Sequence, residues 1–244
     1  GIKESLRKAA DAIDWSQKRP AGRGVGIASM FKFTAPLSPS AAIVRVNDDG
    51  NVEVFKGAVE LGQGINTIMC QIAAEVLGIT TDNITTPAID TEFTPYDWKT
   101  VSSRSTFFSG NAVRRAAEDA KRQLITLASK KLEVNPDSLV CRDGRVFVNN
   151  EPENGESFKA LAHYSISSAM GPIVGKGGFG LHDIDYINPD TGQSKRPMAY
   201  WMYGTQAAEV EVDKETGEVK IFKLTAAHDL GKAINPFNCE QQIE

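Results

Sequence analysis

A change of hydrophobic period around two glycines constrains this chain more than any other sequence feature. Residues 52–55 alternate as in a strand, whereas apolar residues recur at helical spacing from Ile65 up to Gly78, where the helix is predicted to end. Between these segments, Gly62 and Gly64 flank Gln63. Glycine allows positive φ and a close ligand, and the N–H groups at a helix start attract anions. The pattern predicts a strand, a polar loop and a helix that hold a polar, anionic ligand; a tight turn without a ligand is the alternative.

A hydroxyl-rich run, residues 101–111, forms a second candidate loop. Ser102, Ser103 and Ser105 surround Arg104 in this run. Hydroxyl groups, backbone N–H groups and a guanidinium suit a phosphate or the polar atoms of a ring. An ordinary serine-rich loop is the alternative reading of this run taken alone.

A helix follows the second loop as well. Apolar residues recur at helical spacing from Ala112 onward, and Ser109 or Asn111 is a suitable N-cap. We therefore expect the helix to begin near Ala112. Two polar loops that each lead into a helix, within about fifty residues of one another, favour convergence on one ligand.

Several blocks of the sequence resemble the molybdopterin-binding portion of the xanthine dehydrogenase and aldehyde oxidase family. The resemblance covers nearly the whole chain, and the order and spacing of the blocks fit the family. The blocks are residues 60–64, 102–106, 110–113, 203–213, 216–219, 228–236 and 241–244.

The resemblance implies specific contacts with a molybdopterin. Gln63, with the main chain around it, corresponds to the family segment at the pterin and the molybdenum ligands. The serines of the second loop correspond to the segment that binds the pterin and its phosphate side, and Gln242 corresponds to a further pterin-binding glutamine. The implied cofactor-binding residues are Gly62, Gln63, Gly64, Ser102, Ser103, Ser105 and Gln242.

The same resemblance implies an oxidoreductase that hydroxylates an aldehyde or an N-heteroaromatic, purine-like substrate, with water as the oxygen source. Electrons would leave through [2Fe–2S] clusters, which we expect, with FAD, on partner domains or subunits. The three cysteines of this chain are too few for such a cluster. Whether the pterin is a mononucleotide or a cytosine dinucleotide stays open, and so does the substrate.

The resemblance also implies that residues 1–244 form part of a molybdopterin-binding region, with a candidate subdivision near 133–155. The family's upstream Gly-Gly-Phe-Gly segment and its downstream catalytic glutamate are not in this sequence, so we expect the chain alone to be inactive. One alternative is a non-catalytic binding or assembly module on the same scaffold. Another is an unrelated phosphate-binding enzyme, which rests only on the glycine-rich loops.

Composition limits the partners. The formal net charge is −4, without the basic excess typical of nucleic-acid binding, and no apolar run approaches a membrane span. The scattered cysteines lack the spacing of a disulfide framework or a zinc site, which favours reduced thiols and a cytoplasmic location. We expect the remaining molybdopterin-binding segments and a small-molecule substrate as partners.

Hairpins dominate the rest of the chain, so we expect an α+β fold in which antiparallel hairpins pack with two main helices. Turns are predicted near Asn47–Gly50 and Lys214–Gly217, and residues 150–155 are predicted to form a polar loop. The glycine-rich run at residues 175–180 is interpreted as structural because it lies downstream of the Gly-Gln-Gly loop. His228 and Asp229 are adjacent in an extended segment, which argues against an acid–base pair.

Overall fold

The computed structural model describes residues 1–34 and 38–244. The described residues form five α-helices: α1 (Ile2–Ala12), α2 (Ile65–Leu77), α3 (Ser105–Leu132), α4 (Phe158–Ser167) and α5 (Pro236–Gln241). The strands are β1 (Arg23–Phe33), β2 (Ser40–Val46), β3 (Val52–Lys56), β4 (Ile84–Thr85), β5 (Leu139–Arg142), β6 (Arg145–Val148), β7 (Glu151–Ser157), β8 (Ile173–Phe179), β9 (Trp201–Val212) and β10 (Val219–Asp229). Single 3-10 turns occur at Thr81–Asn83 and Pro136–Ser138. The combination confirms the α+β fold class.

The chain divides into two compact units. The first contains Gly1–Ala35 and Ile184–Glu244, and the second contains Pro36–Asp183. The subdivision expected near residues 133–155 stays a prediction; this stretch lies within the second unit.

The first unit is built on an antiparallel sheet of order β1-β9-β10. Helix α1 packs on one face of it, where Ala9 and Ile13 meet Ala207 of the central strand. The hairpin turn predicted at residues 214–217 joins β9 to β10 and is confirmed. On the opposite face, Ile221 and Leu224 are well exposed. The core of this unit therefore lies between α1 and a single sheet face.

The second unit has the larger core. A four-stranded sheet of order β4-β3-β2-β8 packs against α3, which also contacts α2. The turn predicted at residues 47–50 joins β2 to β3 and is confirmed. Gly175 and Gly177 of β8 lie directly on α3, because a Cβ at either position would collide with a carbonyl oxygen of that helix. The glycine-rich run is thus structural, as interpreted.

Helix α2 matches its predicted bounds. It begins after Gly64 and ends before Gly78, and both glycines adopt the left-handed conformation, with φ of 78° and 67°. The apolar residues Ile65, Met69 and Leu77 are buried, as the helical spacing predicts. This helix fixes the position of the loop that precedes it.

Two sequence-based expectations were wrong. Helix α3 begins at Ser105 rather than near Ala112, because Arg104 immediately before it is buried in an ion pair that fixes the chain there. Residues 150–155 do not form a loop; β7 is the polar edge strand of a three-stranded sheet of order β5-β6-β7. An exposed edge strand need not contain the apolar alternation that identifies strands in a sequence.

Candidate functional site

The first polar loop, residues 57–64, connects β3 to α2 within the second unit. Gly62 and Gly64 both have positive φ, 99° and 78°. Residues with a side chain rarely adopt positive φ, so the turn depends on glycine at these positions. Leu61 is 70% exposed, which places the tip of the loop at the surface.

The Glu60 carboxylate holds this loop together. Its Oε1 accepts hydrogen bonds from the backbone N–H groups of Gly62 and Gly64, both at 2.9 Å. Its Oε2 accepts one from Asn66 N at 3.0 Å, in the first turn of α2. The helix start was expected to offer these N–H groups to an anionic ligand. Glu60 already occupies them, so this loop is better suited to a neutral polar ligand.

Burial raises the pKa of the Glu60 carboxyl, but its three backbone hydrogen bonds and the nearby Lys56 outweigh that effect. The pKa of Glu60 is therefore lowered from its ordinary value. The carboxylate stays ionised at neutral pH and complements the partial positive charge at the start of α2.

Gln63 also bonds within the loop. Its Oε1 accepts a hydrogen bond from Leu61 N at 2.6 Å, and its Nε2 donates to the Val59 carbonyl oxygen at 2.9 Å. A glutamine amide has two N–H donors and two acceptor lone pairs. One donor and one lone pair of Gln63 therefore remain for the edge of a heteroaromatic ring.

Because α3 begins at Ser105, the second loop of the structure comprises residues 100–104, and it makes a tight turn before the helix. Arg104 N donates to the Val101 carbonyl oxygen at 3.1 Å, and the two residues between them have positive φ, 56° at Ser102 and 53° at Ser103. This conformation is unfavourable for residues with a side chain. Helix α3 then begins at Ser105 without a side-chain cap, so its start suits a phosphate better than that of α2.

Arg104 does not have the role expected from the sequence. Its side chain is fully buried, and its Nη1 lies 2.6 Å from Oδ1 of Asp97, whose side chain is only 1% exposed. Its Nη2 donates to the Ser38 carbonyl oxygen at 2.7 Å. A buried guanidinium paired in this way cannot reach a phosphate at the surface, so Arg104 anchors the second loop from beneath.

The two loops adjoin. Val59 N of the first loop donates to Thr100 Oγ1, at the start of the second, over 2.7 Å. The structure therefore places the two loops side by side, and their convergence on one ligand stays a prediction.

Gln242 belongs to the first unit, at the end of α5. It lines a cleft of about 280 Å³ together with Gln206, His228, Leu230, Cys239 and Ile243. The His228 ring lies over Gly204 of the neighbouring strand, where an added Cβ would approach it to 3.1 Å. Close packing over Gly204 fixes this imidazole as one wall of the cleft.

The role of Asp97 was not identified from the sequence. Asp97 falls in an aromatic stretch with no motif around it, and its partners Arg104, Ser109 and Ser40 lie 7, 12 and 57 residues away along the chain. No sequence signal identifies such a cluster without structure. Among the described residues, no group of three or more His, Cys, Asp or Glu side chains is placed to hold a metal ion.

A family model described as the molybdopterin cofactor-binding domain matches residues 3–244. The chain belongs to this family. The match extends over both units and includes both polar loops and Gln242. The resemblance identified from the sequence motifs is therefore confirmed.

Curated relatives are larger proteins. A probable hypoxanthine oxidase, XdhD, from Escherichia coli strain K12 is 30% identical over 96% of this chain and 24% of its own length. The gamma subunit of the 6-hydroxypseudooxynicotine dehydrogenase complex from Paenarthrobacter nicotinovorans is 31% identical over 99% of the chain and 28% of its own length. The chain thus spans about a quarter of these relatives.

Solved structures share the fold. Reconstituted CO dehydrogenase from Oligotropha carboxidovorans superposes with a TM-score of 0.79 at 25% identity, over 100% of this chain and 32% of that one. Quinoline 2-oxidoreductase from Pseudomonas putida 86 gives 0.76 at 24% identity, over 99% of this chain and 31% of that one. The second likeness shows the fold alone.

Proposed function

We propose that this chain is the cofactor-binding segment of a molybdenum hydroxylase. In this proposal the enzyme hydroxylates an aldehyde or an N-heteroaromatic, purine-like substrate with water and passes the electrons to iron–sulfur clusters. The proposal rests mainly on the hydrogen-bonded pair of polar loops, each leading into a helix, in a chain of the molybdopterin-binding family.

The donors and acceptors of the two loops fit the two ends of a molybdopterin. The open donor and lone pair of Gln63 suit the neutral pterin edge, whereas the uncapped start of α3 at Ser105 suits the phosphate. In this arrangement Gly62 and Gly64 let the ligand approach the main chain. The turn at Ser102 and Ser103 directs backbone groups towards it.

When bound, the molybdenum centre supplies redox chemistry that amino-acid side chains lack. The chain's own contribution is to bind and orient that group. The base that completes the reaction, the iron–sulfur clusters and the FAD belong in this proposal to other segments, domains or subunits, and the isolated chain is inactive. The three cysteines are all free thiols, which supports a cytoplasmic location. None of the helices in the described ranges is long and apolar enough to cross a membrane.

The metal content of the full-length protein, purified with its partners from its own host, tests this function. We expect about one molybdenum per complex and several iron atoms per molybdenum. Release of a cytosine nucleotide on acid hydrolysis would identify the dinucleotide form of the pterin. If neither metal nor an iron–sulfur partner copurifies, the protein is a non-catalytic binding or assembly module instead.

A further inference from the structure

A seam joins the two polar loops below their tips. We define this seam as Gly57 and Val59 of the first loop with Pro95, Asp97 and Thr100. Gly57 packs so closely that an added Cβ would lie 2.6 Å from the Pro95 carbonyl oxygen and 2.7 Å from the Asp97 Cβ. The Val59 N to Thr100 Oγ1 hydrogen bond closes the seam near the surface. Each loop therefore limits the position of the other.

Asp97 is the residue on which this seam depends. Its carboxylate is buried, and both oxygens are occupied: Oδ1 by Arg104, and Oδ2 by the hydroxyls of Ser109 at 2.5 Å and Ser40 at 2.6 Å. Arg104 directly precedes α3, and Ser109 lies in its second turn. A single carboxylate therefore links the start of α3, strand β2 and the backbone that lies on Gly57.

Lys56 extends this network beneath the first loop. It is 2% exposed, and its Nζ donates to the Ala58 carbonyl oxygen at 2.7 Å. Burial lowers the pKa of Lys56, and the nearby carboxylates of Glu60 and Asp97 act in the opposite direction. The acid that holds the first loop and the acid that holds the second loop are therefore both close enough to influence the charge of Lys56.

We propose that Asp97 is a positioning residue that fixes the two loops relative to each other, so that one cofactor contacts Gln63 and Ser105 at the same time. This inference rests on the proposed function. Two observations favour it over a purely structural role. The carboxylate lies between the two candidate cofactor segments, and the unfavourable turn at Ser102 and Ser103 persists only where its surroundings determine it. Fixed spacing reduces the ordering that binding would otherwise require.

The test uses the full-length protein assembled with its partners and compares three variants with wild type. Asp97→Asn removes the charge, Gly57→Ala forces the loops apart, and Thr100→Val removes one hydrogen bond across the seam while keeping the side-chain shape. Leu161→Ala is the control. Leu161 is buried in α4 of the same unit, so its truncation destabilises that unit without touching either loop.

Three quantities are measured: the melting temperature, the half-life of molybdenum retention during dialysis, and hydrogen exchange of amides 59–64 and 101–105. We expect Asp97→Asn to shorten molybdenum retention about 10- to 100-fold relative to Leu161→Ala at equal loss of melting temperature. Gly57→Ala should have a similar effect. Thr100→Val should accelerate hydrogen exchange in both loops and should also accelerate the loss of molybdenum, while the melting temperature changes little.

Each result distinguishes the positioning role of Asp97 from the proposed function. If the wild-type protein holds molybdenum and the seam variants lose it no faster than Leu161→Ala, the positioning role is wrong while the proposed function stands. A wild-type protein without molybdenum overturns both. Should Asp97→Asn fail to fold, Gly57→Ala and Thr100→Val decide between the outcomes by the same measurements.

Discussion

The two polar loops are held in opposite ways. The first, residues 57–64, is stabilised by its own side chains near the surface, because Glu60 and Gln63 bond back to the loop backbone. The second is held from below by the buried Asp97–Arg104 pair, and its own serines form the turn. Bonds near water exchange readily for bonds to a ligand, whereas buried charge pairs do not. The first loop is therefore suited to adjust to a cofactor, and the second to provide a fixed reference.

Breaking the buried pair should have the largest effect on stability. Arg104→Met leaves the Asp97 carboxylate uncompensated in the interior, and we expect a loss of about 3–5 kcal/mol in the free energy of unfolding. Denaturant titration measures this loss. The matched control is Arg114→Met on the same helix, where the ion pair with Glu118 is exposed and the expected change is below about 0.5 kcal/mol. Similar losses in both variants would mean that the second loop is not anchored through Arg104.

The first loop should respond less. Glu60→Gln removes the charge that accepts three backbone N–H groups, which resembles the loss of a helix cap, so we expect about 1 kcal/mol of destabilisation. Glu75→Gln, at an exposed position on the same helix α2, should change the free energy of unfolding by less than about 0.5 kcal/mol. An effect of Glu60→Gln as large as that of Arg104→Met would remove the contrast between the loops.

The contribution of Glu60 should also depend on pH. Because its pKa is lowered in the folded state, its stabilisation is fully present above the unfolded pKa and is lost as pH falls through the folded pKa. The difference in unfolding free energy between wild type and Glu60→Gln should therefore be constant near neutral pH and shrink in acid. Denaturant titrations of both proteins across the acid range measure it. A difference that grows in acid would contradict the direction of the pKa shift.

Local signals in the sequence predicted much of the fold. Both ends of α2 were predicted because Gly64 and Gly78 are recognisable signals at the two ends of a helix. The start of α3 was misplaced because serines and asparagine there resemble caps, while the residue that fixes the start is a buried arginine. A charged residue is rarely expected in the interior, so the sequence alone favours a surface role for it.

In the candidate site, too, local features were predicted from the sequence and other contacts were not. The motifs identified the two polar loops, since glycine and hydroxyl residues are local signals, and the structure places these loops side by side. That they bind one ligand stays a prediction. The motifs did not predict that Glu60 occupies the N–H groups at the start of α2, nor that Asp97 joins segments near Gly57, Ser40 and α3. The contacts of Asp97 with Ser40 and Gly57 depend on packing between distant residues, whereas those of Glu60 are local but do not follow from the glycine motif. The contribution of Gln242 stays a prediction.

The smallest expected effect concerns the turn itself. Ser103 has a φ of 53°, a conformation that costs a residue with a side chain about 1 kcal/mol. Glycine avoids this cost, but it lowers stability by about 0.5 kcal/mol because its unfolded chain has more conformational entropy. Ser103→Gly should therefore stabilise the protein by about 0.5 kcal/mol. Ser105→Gly, two residues later in the first turn of α3, should destabilise it by a similar amount, because only the entropic loss applies.

Denaturant titration of the two variants measures these opposite signs. Both variants lose a hydroxyl group, so a difference in sign between them reports the effect of the backbone conformation alone. If the seam determines the turn, Ser103→Gly should also leave hydrogen exchange in the first loop unchanged, because the fixed reference for that loop is Asp97 and not the serines. Destabilisation of equal size in both variants would show that the left-handed turn costs the second loop nothing. The second loop would then be held by its serines, as the first is by Glu60 and Gln63.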